Sequence, residues 1–201
     1  MKFKTVFIII FFLSLLLFWF IYNTSNDLRM HIQEVSTSRK LSIITAFHVN
    51  SEMSEREKAL TLWRMVSEKT YHKCGGDTNN PLIILDRGFG CCEETAYTLY
   101  RLWQVARLPS RICFFEFHTI PEVYYEGEWH MLDPDHKVYY TTGDDTSIAS
   151  IQELATSNST IYPVFALKNQ TSQKSRELPA EYRKAWDGKH CEIPIQKILA
   201  F

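Results

Sequence analysis

The sequence predicts a mixed domain, helices first and antiparallel strands after, carried behind one apolar helix. Three observations predict it. An apolar run over 6–22 has Ser14 as its only clearly polar member. Two stretches, 51–69 and one starting at Cys92, repeat apolar residues at helical spacing. From 111 to 132 the chain turns to β-forming residues, interrupted by one turn sequence.

Composition bounds the rest. A length of 201 residues suits one globular domain and an appendage. The net charge is -1 with no basic block, which excludes a nucleic-acid partner. The five cysteines are an odd number, so one thiol stays free within a single chain. The chain is long enough to fold on its core, so a disulfide scaffold is not expected.

The run over 6–22 would span about 25 Å as a helix, close to the ~30 Å hydrocarbon core of a bilayer. The residues after it, Tyr22-Asn23-Thr24-Ser25-Asn26-Asp27, lack the small residues of a cleavage site. Trp19 and Tyr22 suit a membrane interface. Residues 1–22 therefore read as an uncleaved transmembrane anchor. Lys2, Lys4 and the terminal amine favour a cytoplasmic N-terminus, against the weaker pull of Arg29, Arg39 and Lys40. The remainder would lie outside the cytoplasm, periplasmic or extracellular. Residues 23–50 read as a polar tether with at most one short helix, and 51–201 as the domain.

In the domain, Ala59, Leu62, Trp63 and Val66 mark a helix. Ser54-Glu55-Arg56-Glu57 is a capping-box signature at its start. Residues 71–76 end it, and Asp77-Thr78-Asn79-Asn80-Pro81 is loop. Residues 82–85 fit either a short strand or a turn of helix. Then comes Gly88-Phe89-Gly90-Cys91-Cys92-Glu93-Glu94. The second helix starts at Cys92, with Ala96, Leu99, Trp103 and Ala106 on one stripe. Cys92 heads that stripe and Cys91 lies off it. A helix N-terminus favours a thiolate. Glu93 and Glu94 oppose it, so the thiol needs a cationic partner. Pro109 marks the helix end.

Residues 111–117 read as a strand closed by His118. Glu122-Val123-Tyr124-Tyr125, the loop Glu126-Gly127-Glu128 and Trp129-His130-Met131-Leu132 read as a hairpin. Asp133-Pro134-Asp135 ends its second strand. A hairpin brings the start of one strand beside the end of the next, which places His118 near Asp133. Taken singly, a cysteine on an apolar stripe is core filler, a strand-end histidine is ordinary and an Asp before Pro is a turn residue. In one order on a helix–strand–strand frame, they are a nucleophile, a base and the carboxylate that orients it.

Gly90-x-Cys92-x-x-x-Ala96, Leu108-Pro109-Ser110-Arg111, His118-x-x-x-Glu122-Val123, Gly127-x-Trp129 and Asp133-Pro134 together resemble the transglutaminase-like cysteine superfamily. The resemblance covers about residues 53–135 and is free of gaps over 90–111 and 118–123. It implies an α+β papain-like fold, with the nucleophile helix packed on an antiparallel sheet. It implies Cys92 as nucleophile, His118 as base and Asp133 as the residue orienting the imidazole. Two positions depart from the pattern. Arg107 replaces the family's glycine at the helix exit, where a residue with positive φ costs about 1 kcal/mol more than Gly. Ile120-Pro121 replaces the segment after the histidine, which predicts an edge strand and a looser cover over His118.

The function expected is membrane-anchored acyl transfer. Cys92 would attack an amide of a protein or peptide and form a thioester, which water or an amine resolves. The Cys92 N–H is the first oxyanion donor, and Tyr71 is the candidate for the second. No cofactor is called for. The other class of function is a catalytically silent module of the same fold, used for binding or assembly at the cell envelope. A zinc set from His72, Cys74, Cys91 and Cys92 competes for the same cysteines, but adjacent cysteines are poor chelate spacing. A Cys74–Cys91 disulfide, leaving Cys92 free, is favoured over it.

The last third carries no usable motif. It reads as a helix over 146–154, a strand over 163–167, a helix over 180–186 and an edge strand over 191–199. Gly143-Asp144-Asp145 is a turn with a weak calcium signature. Asn23, Asn158 and Asn169 begin N-x-S/T sequons.

Overall fold

A computed structural model of the chain describes residues 3–76, 78–142, 147–156, 161–165, 173–189 and 191–192, with backbone alone at 3–10, 161, 173–175 and 192. The chain divides into two compact units, 1–40 and 41–201.

Helix α1 spans Phe3–His48. It runs through the stretch expected to be a tether, because 23–48 contains no Gly or Pro to break it. The end of the helix also has a place to bury: Leu41 is wholly buried and Ile44 packs with it in the second unit's core. The expected membrane-spanning helix over 1–22 is not found. Among the described residues no helix is long and apolar enough to cross a membrane. Residues 6–10 of the apolar run fall on side chains outside the described ones.

Helix α2 is Glu55–Lys69. Its capping box forms as expected: the Glu57 N–H donates to Ser54 Oγ, and the Ser54 N–H to Glu57 Oε2 at 2.8 Å. Strand β1 (Tyr71–His72) follows, then α3 (Pro81–Arg87). Residues 82–85 are thus helix, not strand. Asn80 caps α3, Pro81 opens it and Gly88 closes it at φ 76°. Strand β2 (Phe89–Gly90) pairs in parallel with β1 and leads into α4 (Cys92–Val105).

Helix α4 ends in a Schellman motif. The Leu108 N–H donates to Trp103 O and the Arg107 N–H to Gln104 O. Arg107 accordingly takes φ 62°, the left-handed conformation that a glycine would adopt without strain. Beyond it lie β3 (Ser110–Phe114), β4 (Thr119–Tyr125) and β5 (Glu128–Met131). Next come β6 (Val138–Thr142), α5 (Ile151–Thr156), β7 (Ile161–Phe165), α6 (Gln173–Ala185) and β8 (Cys191–Glu192). The main sheet is antiparallel, in the order β5-β4-β3-β8, while β6 and β7 pair separately. This is the expected α+β arrangement: α4 packs on β3 and β4.

Several local expectations change. The β4–β5 loop is the two-residue Glu126-Gly127, both at positive φ, not a three-residue loop. The first strand stops at Phe114 rather than 117. Pro121 lies in a central strand, not at an edge. The Phe115 N–H reaches His118 O and the Tyr124 N–H reaches Pro109 O, so even-numbered β4 residues bond toward β3. The Pro121 nitrogen faces the other side, where β5 pairs only from Glu122↔Met131 onward. No ladder donor is lost. Helix α5 starts at Ile151, and residues 143–146, with the calcium reading, lie outside the described residues. So do Asn158, Asn169 and 193–199; Asn23 is on α1.

Two cores flank the sheet. Leu62, Trp63, Val66, Leu99, Trp103 and Val123 form one, and Ile120, Met131, Leu154, Leu178 and Tyr182 belong to the other. A second disulfide, Cys113–Cys191, joins β3 to β8 and was not expected. Arg111 and Glu122 face each other across β3–β4, with Nη2 2.6 Å from Oε2. Glu122 is wholly buried and also accepts the Ile151 N–H at 2.7 Å, which ties the sheet to α5. Burial pushes its carboxyl up, against the pull of the Arg111 charge.

Arg107→Gly relieves the left-handed strain at an exposed position. The variant should be up to about 1 kcal/mol more stable in denaturant unfolding, less whatever glycine adds in unfolded-chain entropy. A destabilised variant would contradict this account of the α4 exit.

Candidate active site

Cys92 occupies the first helical position of α4. It is half-buried and is the free cysteine of the chain. Cys74 and Cys91 are joined in a disulfide, as expected. That joining overturns the zinc reading, because neither sulfur is left as a thiolate ligand. The N–H groups of a helix's first turn have no partner within the helix, and the Cys92 N–H is one of them.

Of the two carboxylates beside this thiol, Glu93 is exposed to solvent and Glu94 is held by other groups. Glu94 accepts the Cys91 N–H at 2.9 Å and the Arg87 guanidinium at 2.7 Å, both on Oε2. Arg87 is held in turn by Phe89 O, 2.7 Å from its Nε. Burial pushes the Glu94 carboxyl up, but the Cys91 N–H and Arg87 outweigh it and lower it. The Arg87–Glu94 pair thus neutralises the turn ahead of the nucleophile. Gly90 is needed at this approach. A Cβ there would stand 3.2 Å from Glu94 Cβ and 3.3 Å from Thr95 Cγ2.

His118 and Asp133 meet as the hairpin requires: Nε2 lies 2.8 Å from Oδ2. Their side chains are 3% and 0% exposed, so the looser cover expected over His118 is not seen. Burial alone would lower the His118 pKa. The Asp133 charge and hydrogen bond, then the hydrogen bond and charge of Cys92, overcome this and raise it to about 10. Burial would raise Asp133, but His118 and then His136 hold it far below the usual carboxylate range. His118 is thus held against Asp133, and Cys92 is near enough to act on the same ring.

Two partners of Asp133 were not legible. His136 places Nδ1 2.9 Å from Asp133 Oδ2 and 2.9 Å from His118 Nε2, its ring set edge-on to His118. The sequence signal for it was only a histidine three residues past Asp133. Trp63, read as core, donates its indole N–H to the Asp133 carbonyl at 2.9 Å. Tyr71, the expected second oxyanion donor, lies at the surface on β1. Its ring is exposed against Phe89, and its N–H is taken by Gly88 O. The ring nitrogens of His118 and His136 and an oxygen of Asp133 lie within 4.8 Å of one another, close enough to share a cation. Each already has a hydrogen-bond partner among the others.

No family model and no curated protein matches the chain. Solved structures do. One is a protein assigned as a cysteine protease from Cytophaga hutchinsonii, at TM-score 0.42 and 14% identity, covering 67% of this chain and 53% of that one. Another is a TGase, at TM-score 0.40 and 18% identity, covering 64% of this chain and 36% of that one. The chain thus spans about half the length of the first and about a third of the second.

Two outcomes follow from the geometry. With its folded pKa raised from 6.5 to about 10, His118 contributes stability that is full below 6.5 and lost as pH rises toward 10. Asp133, lowered from 3.8, contributes stability that is full above 3.8 and lost as pH falls. In Asp133→Asn the His118 ring should titrate about 1–3 pH units lower by NMR, and the loss of stability between neutral and alkaline pH should shrink. An unchanged titration would show that the carboxylate does not govern the imidazole. Trp63→Phe, which removes the donor to Asp133 O, should lower unfolding free energy by about 1–2 kcal/mol.

Proposed function

We propose that the chain is a cysteine acyl-transfer enzyme of transglutaminase-like kind, acting on the carboxamide or peptide bond of a protein or peptide. One observation carries this. The free cysteine heads α4 near enough to an imidazole to help raise its pKa, and that ring's Nε2 sits 2.8 Å from a wholly buried carboxylate.

In this reading Cys92 and His118 rest as a thiolate–imidazolium pair, and the thiolate attacks the carbonyl carbon. Asp133 holds the Nε2–H and stabilises the charged ring. The Cys92 N–H donates to the tetrahedral oxyanion. His118 then gives its proton to the departing amine as the carbon–nitrogen bond breaks, leaving a thioester. Water or an amine, deprotonated by His118, resolves it and restores the thiolate.

Membrane anchoring belongs to the same proposal. The large apolar side chains from Phe11 to Tyr22 are 47–69% exposed, as a segment made for lipid would be. Two disulfides support an oxidising location for the domain, outside the cytoplasm.

The test is thiol labelling of the full chain with iodoacetamide across pH, the sites being mapped by peptide analysis. At pH 6, Cys92 should label at least about tenfold faster than a small free thiol. His118→Ala should remove that advantage. Cys91→Ala should keep it, with the Cys74 released by that change mapped separately. Cys92 labelling no faster than a small thiol would sink the enzyme reading and leave a binding module.

A further inference from the structure

Beside the site runs a second Asp–His–Cys string, which the proposed reaction does not use. His72 Nδ1 lies 2.9 Å from both carboxylate oxygens of Asp135. That anchors one ring nitrogen and leaves Nε2 facing outward, 3.9 Å from Cys74 Sγ. Asp135 is 4% exposed and His72 57% exposed, so a fixed buried carboxylate holds an imidazole that solvent can reach. Cys74 is exposed as well. Its disulfide partner Cys91 follows Gly90, which pairs with His72 across β1–β2. The other disulfide differs, since Cys113 is wholly buried in the sheet.

We propose that Cys74–Cys91 is an exchange site for a dithiol, with Cys74 as the departing and returning sulfur and His72 as the carrier of its proton. A thiolate of the dithiol attacks Cys91 Sγ. The Cys74–Cys91 bond breaks, its electron pair leaves on Cys74, and His72 Nε2–H donates to that sulfur. The second thiolate of the dithiol attacks the mixed disulfide and releases Cys91. Cys91 leaves as a thiolate and is protonated from solvent, and His72 regains from solvent the proton it gave Cys74. The two protons that the dithiol lost to solvent on forming its thiolates balance these, two electrons have passed to the chain, and the dithiol has become a disulfide. In reverse, His72 takes the Cys74 proton as Cys74 attacks. Asp135 keeps the ring in the orientation both directions need.

A purely structural His72 would only offset the Asp135 charge. The two roles separate by rate. The exchange does not rest on the acyl-transfer reading, so the test uses the full chain carrying Cys92→Ala. Dithiothreitol is added at neutral pH, thiols are trapped with N-ethylmaleimide, and both disulfides are followed by peptide mass. Cys74–Cys91 should open at least about tenfold faster than Cys113–Cys191. His72→Ala should slow it about tenfold without changing the Cys113–Cys191 rate, which reports any loss of fold. A second variant reads the thiol directly. With Cys91→Ala added, iodoacetamide labelling of Cys74 should fall about tenfold on His72→Ala. Equal opening of the two disulfides, or a His72→Ala rate within twofold of its parent in both assays, overturns the proposal.

Discussion

A carboxylate with no exposure at all is the constraint around which the site is built. Asp133 can stay charged in the interior only if its oxygens are met by donors, since an uncompensated buried charge is among the most costly features a fold can hold. Oδ1 accepts the N–H groups of Asp135 and His136, and Oδ2 meets the rings of His118 and His136. Its backbone is held as firmly: Asp133 and Val138 exchange both hydrogen bonds, and Trp63 reaches in from α2 to the carbonyl. The chain must therefore turn within four residues, which puts Lys137 at φ 57°. Strain at Lys137, burial of His118 and the docking of α2 all follow from keeping this one group ionised.

The nucleophile end answers a different electrostatic problem. A helix N-terminus helps a thiolate, but acidic residues in the same turn work against it. The conflict is resolved by placing Arg87, from α3, on Glu94 rather than by removing the acid. Glu94 then serves as a cap, holding the Cys91 N–H and fixing where α4 begins. The loop ahead of Cys92 is also pinned by the disulfide to Cys74. The position of the thiol is thus set by groups other than His118 and Asp133.

The parts legible in the sequence were those with local periodicity or fixed spacing. The Ser54 cap, the stripe of α4, the β4–β5 hairpin and the Cys92, His118 and Asp133 positions depend on neighbours within a few residues or on one hairpin. The positive φ at Arg107 was legible for the same reason, being a property of the helix exit. What stayed hidden depended on packing between distant elements. Trp63 and Asp133 are 70 residues apart, and nothing on the α2 stripe distinguishes an indole that donates from one that only fills space. His136 had no periodic context. Pro121 misled because the edge rule counts missing donors, and the side a donor faces is settled only by the register with β5. The α1 boundary misled because polar composition over 23–48 was read as tether, although helix formers without Gly or Pro do not end a helix.

The turn 133–136 gives these pieces a common origin. Asp133 points inward to His118, Asp135 to His72, and His136 folds back over His118. The Asp135 N–H is itself one of the donors that keep Asp133 charged. A displacement at His72 would pull on Asp135, and through that single N–H on the carboxylate orienting the imidazole. Within this turn the solvent-facing disulfide string and the buried site are joined by the Asp135 N–H, which donates to Asp133 Oδ1 at 2.9 Å.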